Sequence, residues 1–299
     1  MTRIFITAIL FLFTSSFVTS QKTVSLRKQI EQLLATKNAR VGVSFSGIEK
    51  QDTLTINGSS HFPLQSVFKF PIALKVLHLV DQKKLSLDQK IYIPKSDLLP
   101  DTWSPLRDKY PDGNVKIPLA EIIRFMVSES DNNACDILLR LVGGAKTVND
   151  YIHELGIKNI AIRYNEEEMH REWNVQFSNW TTPVATTRLL KLFYDGKILS
   201  AKSYDFLWKV MCETSTGKER IKGQLPTGTL VAHKTGTSGT NAQGITAAIN
   251  DIGIVRLPNG NHFVISVYVS NSKENTQTNE KIISDISKLV WDYFVSEMK

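Results

Sequence analysis

Phe62-Pro63-Leu64-Gln65-Ser66-Val67-Phe68-Lys69-Phe70-Pro71-Ile72-Ala73-Leu74-Lys75-Val76-Leu77-His78-Leu79-Val80-Asp81 is the stretch around which the rest of the chain arranges itself. After Pro63 the pattern turns helical from Ser66 to about Asp81, with Phe68, Phe70, Ile72, Ala73, Leu74, Val76, Leu77, Leu79 and Val80 apolar on nearly every side. A helix of that kind is buried centrally. Ser66 and Lys69 lie one turn apart and project from the same face. Free N–H groups at a helix start favour an oxyanion there, and desolvation between Phe68 and Phe70-Pro71 makes Lys69 a useful base. By itself the spacing is weak, because Ser-x-x-Lys also begins at Ser25, Ser215, Ser270 and Ser296. Taken alone it reads as a capping serine and a surface lysine.

Outward from this helix, Val24, Leu26, Ile30, Leu33 and Leu34 recur at helical spacing, and Val41 to Ile56 reads as two strands around a Gly47-Ile48-Glu49-Lys50 turn. Helical segments follow at Leu119 to Val127, Asn132 to Leu141, Thr147 to Leu155, Pro183 to Tyr194 and Ser203 to Met211. Beyond Gly228 the period changes to that of strands, at Leu230 to Thr235, Gly244 to Leu257 and Phe263 to Val269, with a Pro258-Asn259-Gly260-Asn261 hairpin turn. A last helix, Asn279 to Val295, carries Ile282, Ile283, Ile286, Leu289, Val290 and Tyr293 on one face. The expected fold is α/β plus all-α: a five-stranded, mainly antiparallel sheet packed by terminal helices, with an inserted helical lobe. Residues 21–59 and 214–299 would form the discontinuous α/β lobe and 60–213 the helical one. A ligand site is expected in the cleft between them.

Residues 1–20 combine Arg3, an apolar run from Ile4 to Phe13, and small and polar residues ending Val18-Thr19-Ser20. That is the layout of a cleavable secretory signal peptide, so export is expected, to the periplasm in a host with two membranes. The run is shorter than the roughly 20 residues that span a bilayer, and no Cys follows it to take a lipid anchor. The net charge of +7 is scattered rather than clustered with aromatics, which reads as solvated surface and not nucleic-acid binding. His61, His78, His153, His170, His233 and His262 lack metal-ligand spacing, so neither a metal nor another cofactor is expected. Cys135 and Cys212 are expected as two free, buried thiols.

Two further motifs complete the pattern. Ser130-Asp131-Asn132 sits between helical segments and alone reads as an N-cap cluster. Lys234-Thr235-Gly236 lies on a strand, where a lysine beside a glycine alone reads as an edge device. Between them stand Glu166, Glu167 and Glu168. Composition does not choose among these three.

The three motifs in this order are the signature of class A serine β-lactamases, and the chain resembles that family over essentially its whole length after residue 20. Phe62-Pro63, Val127-Ser128-Glu129, Trp103-Ser104-Pro105, Thr216-Gly217 and Arg220-Ile221-Lys222-Gly223 add to the likeness. Gln65, Asn165-Glu166, Met169-His170 and Asn179-Trp180 make it most similar to the PER/VEB extended-spectrum branch. The resemblance implies a monomer that hydrolyses penicillins and cephalosporins. It implies that Ser66 is acylated, with the N–H groups of Ser66 and Thr237 as oxyanion hole, and that Ser130 passes a proton to the leaving nitrogen, assisted by Lys69 and Lys234. Asn132 would bind the substrate's side-chain amide. Thr235, Gly236, Thr237 and Ser238 would line the carboxylate site, with Arg220 as cationic partner. Trp103 would wall the cleft or be buried as a loop anchor. Glu166, chosen by its spacing to Met169-His170, would activate water against the ester; whether it or Lys69 serves acylation stays open. A D,D-peptidase shares the three motifs but would lack that glutamate, and a non-hydrolytic β-lactam sensor, which stays acylated, would be expected beside transmembrane helices.

The loop holding Glu166 departs from the usual family pattern. Tyr164 and Asn179 stand where an arginine and an aspartate usually pair, Arg163 is displaced by one, Asp136 replaces an asparagine, and His170 replaces the asparagine that helps hold water. A substitute Asp136–Asn179 contact and a roomier cleft suited to oxyimino-cephalosporins are expected.

Overall fold

The computed structural model describes residues 21–49 and 52–298. The expected signal peptide lies outside these residues, as does Lys50 of the first hairpin turn. Ten strands are described: β1 Arg40–Gly47, β2 Thr53–Ile56, β3 Phe62–Pro63, β4 Lys90–Ile93, β5 Val115–Pro118, β6 Ile160–Ala161, β7 Trp180–Thr181, β8 Val231–Thr237, β9 Thr246–Arg256 and β10 His262–Ser272. Residues 21–34 form helix α1. The others are α2 Lys69–Asp81, α3 Pro105–Lys109, α4 Leu119–Ser128, α5 Asn132–Leu141, α6 Ala145–Glu154, α7 Glu166–Met169, α8 Pro183–Tyr194, α9 Ala201–Cys212 and α10 Thr276–Ser296.

The main sheet has the order β2-β1-β10-β9-β8, and every neighbouring pair in it is antiparallel. Alternation along β10 shows how it is covered. Phe263, Ile265, Val267 and Val269 enter an apolar cluster with Leu26 and Ile30 of α1 and Ile282, Ile286 and Val290 of α10. Val264 and Tyr268 enter a second cluster built on α2, α4, α5, α8 and α9. A sheet buried on both faces reads as near-continuous apolar sequence, which is why β9 and β10 were legible as strands without a clean polar stripe. The hairpin between them closes at Leu257 to Asn261, with Gly260 at φ +89°.

The α2 helix runs through the second cluster, and Phe70, Ile72, Ala73, Leu74, Val76 and Leu77 are fully buried. Side-chain caps fix where its neighbours begin. Asp131 accepts from Ala134 N at the start of α5, and Thr182 does so from Ala185 N before Pro183 of α8. The helical part also holds two small sheets, β3-β7-β6 and β4-β5, which the sequence reading did not anticipate. Their strands are two to four residues long, too short for a period-2 pattern to register. Both cysteines are free, but Cys212 is only half-buried, unlike Cys135 and unlike the expectation for the pair.

Candidate active site

Ser66 does not open the α-helix itself. It lies in a 3₁₀ turn, Gln65–Phe68, that runs directly into α2 at Lys69. The turn is entered through Gln65, whose φ of +46° costs a non-glycine residue about 1–2 kcal/mol. The three-residue spacing still brings Lys69 Nζ to 2.7 Å from Ser66 Oγ. Burial separates this pair from the look-alike motifs: Lys69 is fully buried, while Lys28, Lys218 and Lys273 are exposed. Lys299 of the fourth lies outside the described residues.

Lys69 Nζ also donates to Ser130 O at 3.1 Å, Asn132 Oδ1 at 2.6 Å and Glu166 Oε1 at 2.5 Å. Four acceptors thus surround an ammonium that has three hydrogens. Glu166 Oε1 in turn lies 3.4 Å from Ser66 Oγ. Lysine, carboxylate and serine hydroxyl therefore share one hydrogen-bonded cluster. On its far side, Lys234 Nζ donates to Ser130 Oγ at 2.9 Å and to Thr235 O. Burial first, and then the charge of Lys69, hold Lys234 well below the usual lysine range. Ser130 has φ +62°, and Asp131 anchors that turn by accepting from Ser104 Oγ and Leu106 N as well as Ala134 N. The motif is both an N-cap cluster and part of the site; the two readings coexist because Asp131 caps while its neighbours face the lysines.

Glu166 begins the short helix α7, where Asn165 and Glu168 form a reciprocal capping box. The expected Asp136–Asn179 contact is not made. Asp136 accepts from Glu166 N at 2.8 Å and Glu167 N at 3.1 Å. Asn179 Oδ1 accepts from Arg163 N and Tyr164 N, and its Nδ2 donates to Tyr164 O. Each side chain holds loop backbone separately, so no ion pair across the loop is needed. His170 Nδ1 lies 2.6 Å from Glu166 O. A carbonyl only accepts, so Nδ1 carries hydrogen, which leaves Nε2 as the acceptor in the tautomer with a single ring hydrogen. His170, Glu166, Asp136 and Asn132 line a cavity of about 210 Å³ together with Leu99 and Thr102. Space for water thus lies beside the carboxylate.

Burial raises the Asp136 carboxyl to about 6, against the pull of the two backbone N–H groups and Lys69. Its folded value exceeds the unfolded one, so this stabilisation is complete below the unfolded carboxylate value and is lost as pH rises through about 6. Activity runs the other way, because protonation weakens one of the two bonds holding the Glu166 helix. We expect kcat to fall on the acid side near pH 6. Asp136→Asn, which turns one acceptor into a donor, should have a low and flat kcat across that limb; pH–rate profiles of the two proteins check it.

Along β8, Thr235 is buried and bonds Thr216 Oγ1, whereas Thr237 is exposed. Arg220 is buried and reaches this strand: its Nη1 donates to Gly236 O and Asn250 O, its Nη2 to Thr237 Oγ1 at 2.8 Å, and its Nε to Glu280. Ser238 is not brought in the same way, since its hydroxyl is bonded to Ala248 N and Gly239 O. Trp103 is not buried as a loop anchor; it is 60% exposed, with Nε1 donating to Glu129 O. A Cβ on Gly236 would lie 2.7 Å from Leu64 O, so glycine lets β8 approach the nucleophile turn. Gly236→Ala should cost about 1–3 kcal/mol in thermal or urea unfolding and lower kcat/KM, because the clash is with backbone. The sequence reading missed Asn250, which donates to Pro63 O and Leu64 O, and Thr102, which accepts from Asn132 Nδ2. Both are ordinary polar residues outside any motif.

A serine hydroxyl bonded to a buried lysine, a second buried lysine on the opposite serine, and a carboxylate beside the first pair can carry acyl transfer followed by hydrolysis. Residues 25–294 match the family described as "Beta-lactamase enzyme family". The chain is 50% identical to Beta-lactamase VEB-1 of Pseudomonas aeruginosa, covering 97% of each, and 43% identical to Extended-spectrum beta-lactamase PER-1 of the same organism, covering 95% of this chain and 92% of that one. The crystal structure of TLA-3 extended-spectrum beta-lactamase superposes with a TM-score of 0.91 at 57% identity, covering 91% of this chain and 99% of that one. With the family match over residues 25–294, the identity to the relatives and the fold agreeing, the chain belongs to the beta-lactamase enzyme family, as a class A enzyme.

Proposed function

We propose that this class A β-lactamase opens the β-lactam ring by acylating Ser66 and regenerates the serine with water activated by Glu166. Ser66 Oγ attacks the carbonyl as its proton leaves through Lys69 or Glu166, both within reach of it. The N–H groups of Ser66 and Thr237 hold the oxyanion. Ser130 Oγ, bonded to Lys234, delivers a proton to the ring nitrogen as the C–N bond breaks. Asn132 holds the substrate amide, while Thr235, Thr237 and Arg220 receive the carboxylate. Trp103 stands at the cleft rim, and His170 Nε2 accepts from the attacking water. The single observation that carries this reading is Glu166 Oε1, placed 3.4 Å from the nucleophile. A peptidase would lack a base there.

The proposed spectrum extends to oxyimino-cephalosporins, a reading supported by two relatives whose names call those proteins extended-spectrum. The enzyme acts as an exported, periplasmic monomer; among the described residues no helix is long and apolar enough to cross a membrane. Its two lobes divide at residues 59/60 and 213/214, a reading supported by the two apolar clusters. Peptide mapping of the adduct after acid quench should place it on Ser66. In parallel, kcat/KM for an oxyimino-cephalosporin should fall within about tenfold of that for a simple penicillin. Far slower turnover of the oxyimino compound would defeat the spectrum, and an adduct elsewhere would defeat the mechanism.

A further inference from the structure

We propose that the buried amide pair Gln65–Gln176 is a positioning device that couples the nucleophile turn to the loop carrying Glu166, and that it acts on deacylation. This rests on the reading of Glu166 as the deacylating base. Gln65 Nε2 donates to Gln176 Oε1 at 2.8 Å, and Gln176 Nε2 donates onward to Trp173 O at 2.7 Å. Both side chains are buried, and from residue 170 to 178 Gln176 is the buried member of a segment otherwise exposed or half-buried. It is therefore the inward anchor of the part of the loop that follows Glu166. The loop's other ties lie at its two ends. Asp136 holds the backbone of Glu166 and Glu167, and Asn179 O accepts from Leu64 N.

Gln65 is also the residue with φ +46° directly before the nucleophile, and its Cβ lies 3.1 Å from where a Cβ on Gly236 would stand. Backbone strain of this kind persists only where its surroundings over-determine it. Here the determinants are β8 on one side and the Gln176 amide on the other. The same bond that holds the strained turn thus fixes how far the loop sits from it. A neutral amide pair contributes little net stability, since its bonds replace bonds to water. Its consequence is geometric: it sets the position of the water-activating loop relative to the ester on Ser66. With Lys69 as the acylating base, acylation depends on Lys69, Ser130 and Lys234, which α2, the turn before α5 and β8 hold without the loop.

Gln176→Leu and, separately, Gln65→Met should slow deacylation about tenfold or more while acylation changes less than about twofold. Acylation is read from the chromophore burst of a chromogenic cephalosporin, and deacylation from decay of the intact-mass adduct. A partly unfolded preparation would lower amplitudes but leave both rates unchanged. Because one bond is shared, the double variant should deacylate no more slowly than the worse single variant. Multiplying losses, equal falls in both rates, or wild-type rates in both single variants would overturn the proposal. Glu166→Ala run alongside separates the two ideas. If it traps no adduct, the base assignment fails and this inference with it; if it traps adduct while the glutamine variants turn over normally, the inference alone fails.

Discussion

Lys69→Ala is expected to lower the rate of acylation by about a thousandfold or more, measured as the burst rate with a chromogenic cephalosporin. General-base assistance alone is worth roughly 10²- to 10⁴-fold, and Lys69 does more than accept a proton. Its Nζ contacts Ser66 Oγ, Ser130 O, Asn132 Oδ1 and Glu166 Oε1 at once. Removing it frees the serine hydroxyl from its orienting partner and leaves a buried carboxylate beside a cavity. Lys69→Arg should not restore the rate, because the planar fork cannot occupy a site shaped around a compact ammonium.

Glu166→Ala is expected to have an equally large effect on the other half of the cycle. Deacylation should slow by about 10²- to 10⁴-fold, and steady-state kcat should fall with it. Acylation should survive, and the hydrogen-bond count says why. Without Glu166, Lys69 keeps Ser66 Oγ, Ser130 O and Asn132 Oδ1, three acceptors for three hydrogens. The acylating cluster is satisfied without the carboxylate. The loop also stays anchored, since Asp136 binds the backbone N–H groups of residues 166 and 167 rather than the glutamate side chain.

This asymmetry also explains what could be read from the chain alone. Elements with strong periodicity were legible to within a few residues: α5 and α8 match their expected bounds, and β8 to β10 were found as one hairpin series. Motif residues held by regular elements, such as Lys69 one turn after Ser66, were legible for the same reason. The 3₁₀ turn at Gln65–Phe68 was read as α-helix because apolar spacing does not distinguish the two at a helix start. The loop from residue 163 to 180 was least legible. Asp136 and Asn179 were recognised as substitutions and wrongly paired, because backbone N–H groups, which no sequence pattern displays, proved to be their partners. Gln65 and Gln176, 111 positions apart, form a contact that local patterning does not encode.

In the proposed mechanism one carboxylate turns an acylation site into a hydrolase. Quenched-flow intact mass, with an oxyimino-cephalosporin and with the wild-type and Glu166→Ala proteins side by side, tests it most directly. The wild type should return to free enzyme once substrate is exhausted, while the variant acylates at a similar rate and keeps its adduct. A wild-type adduct that persists, or a Glu166→Ala protein that sheds its adduct as fast as the wild type, would contradict it.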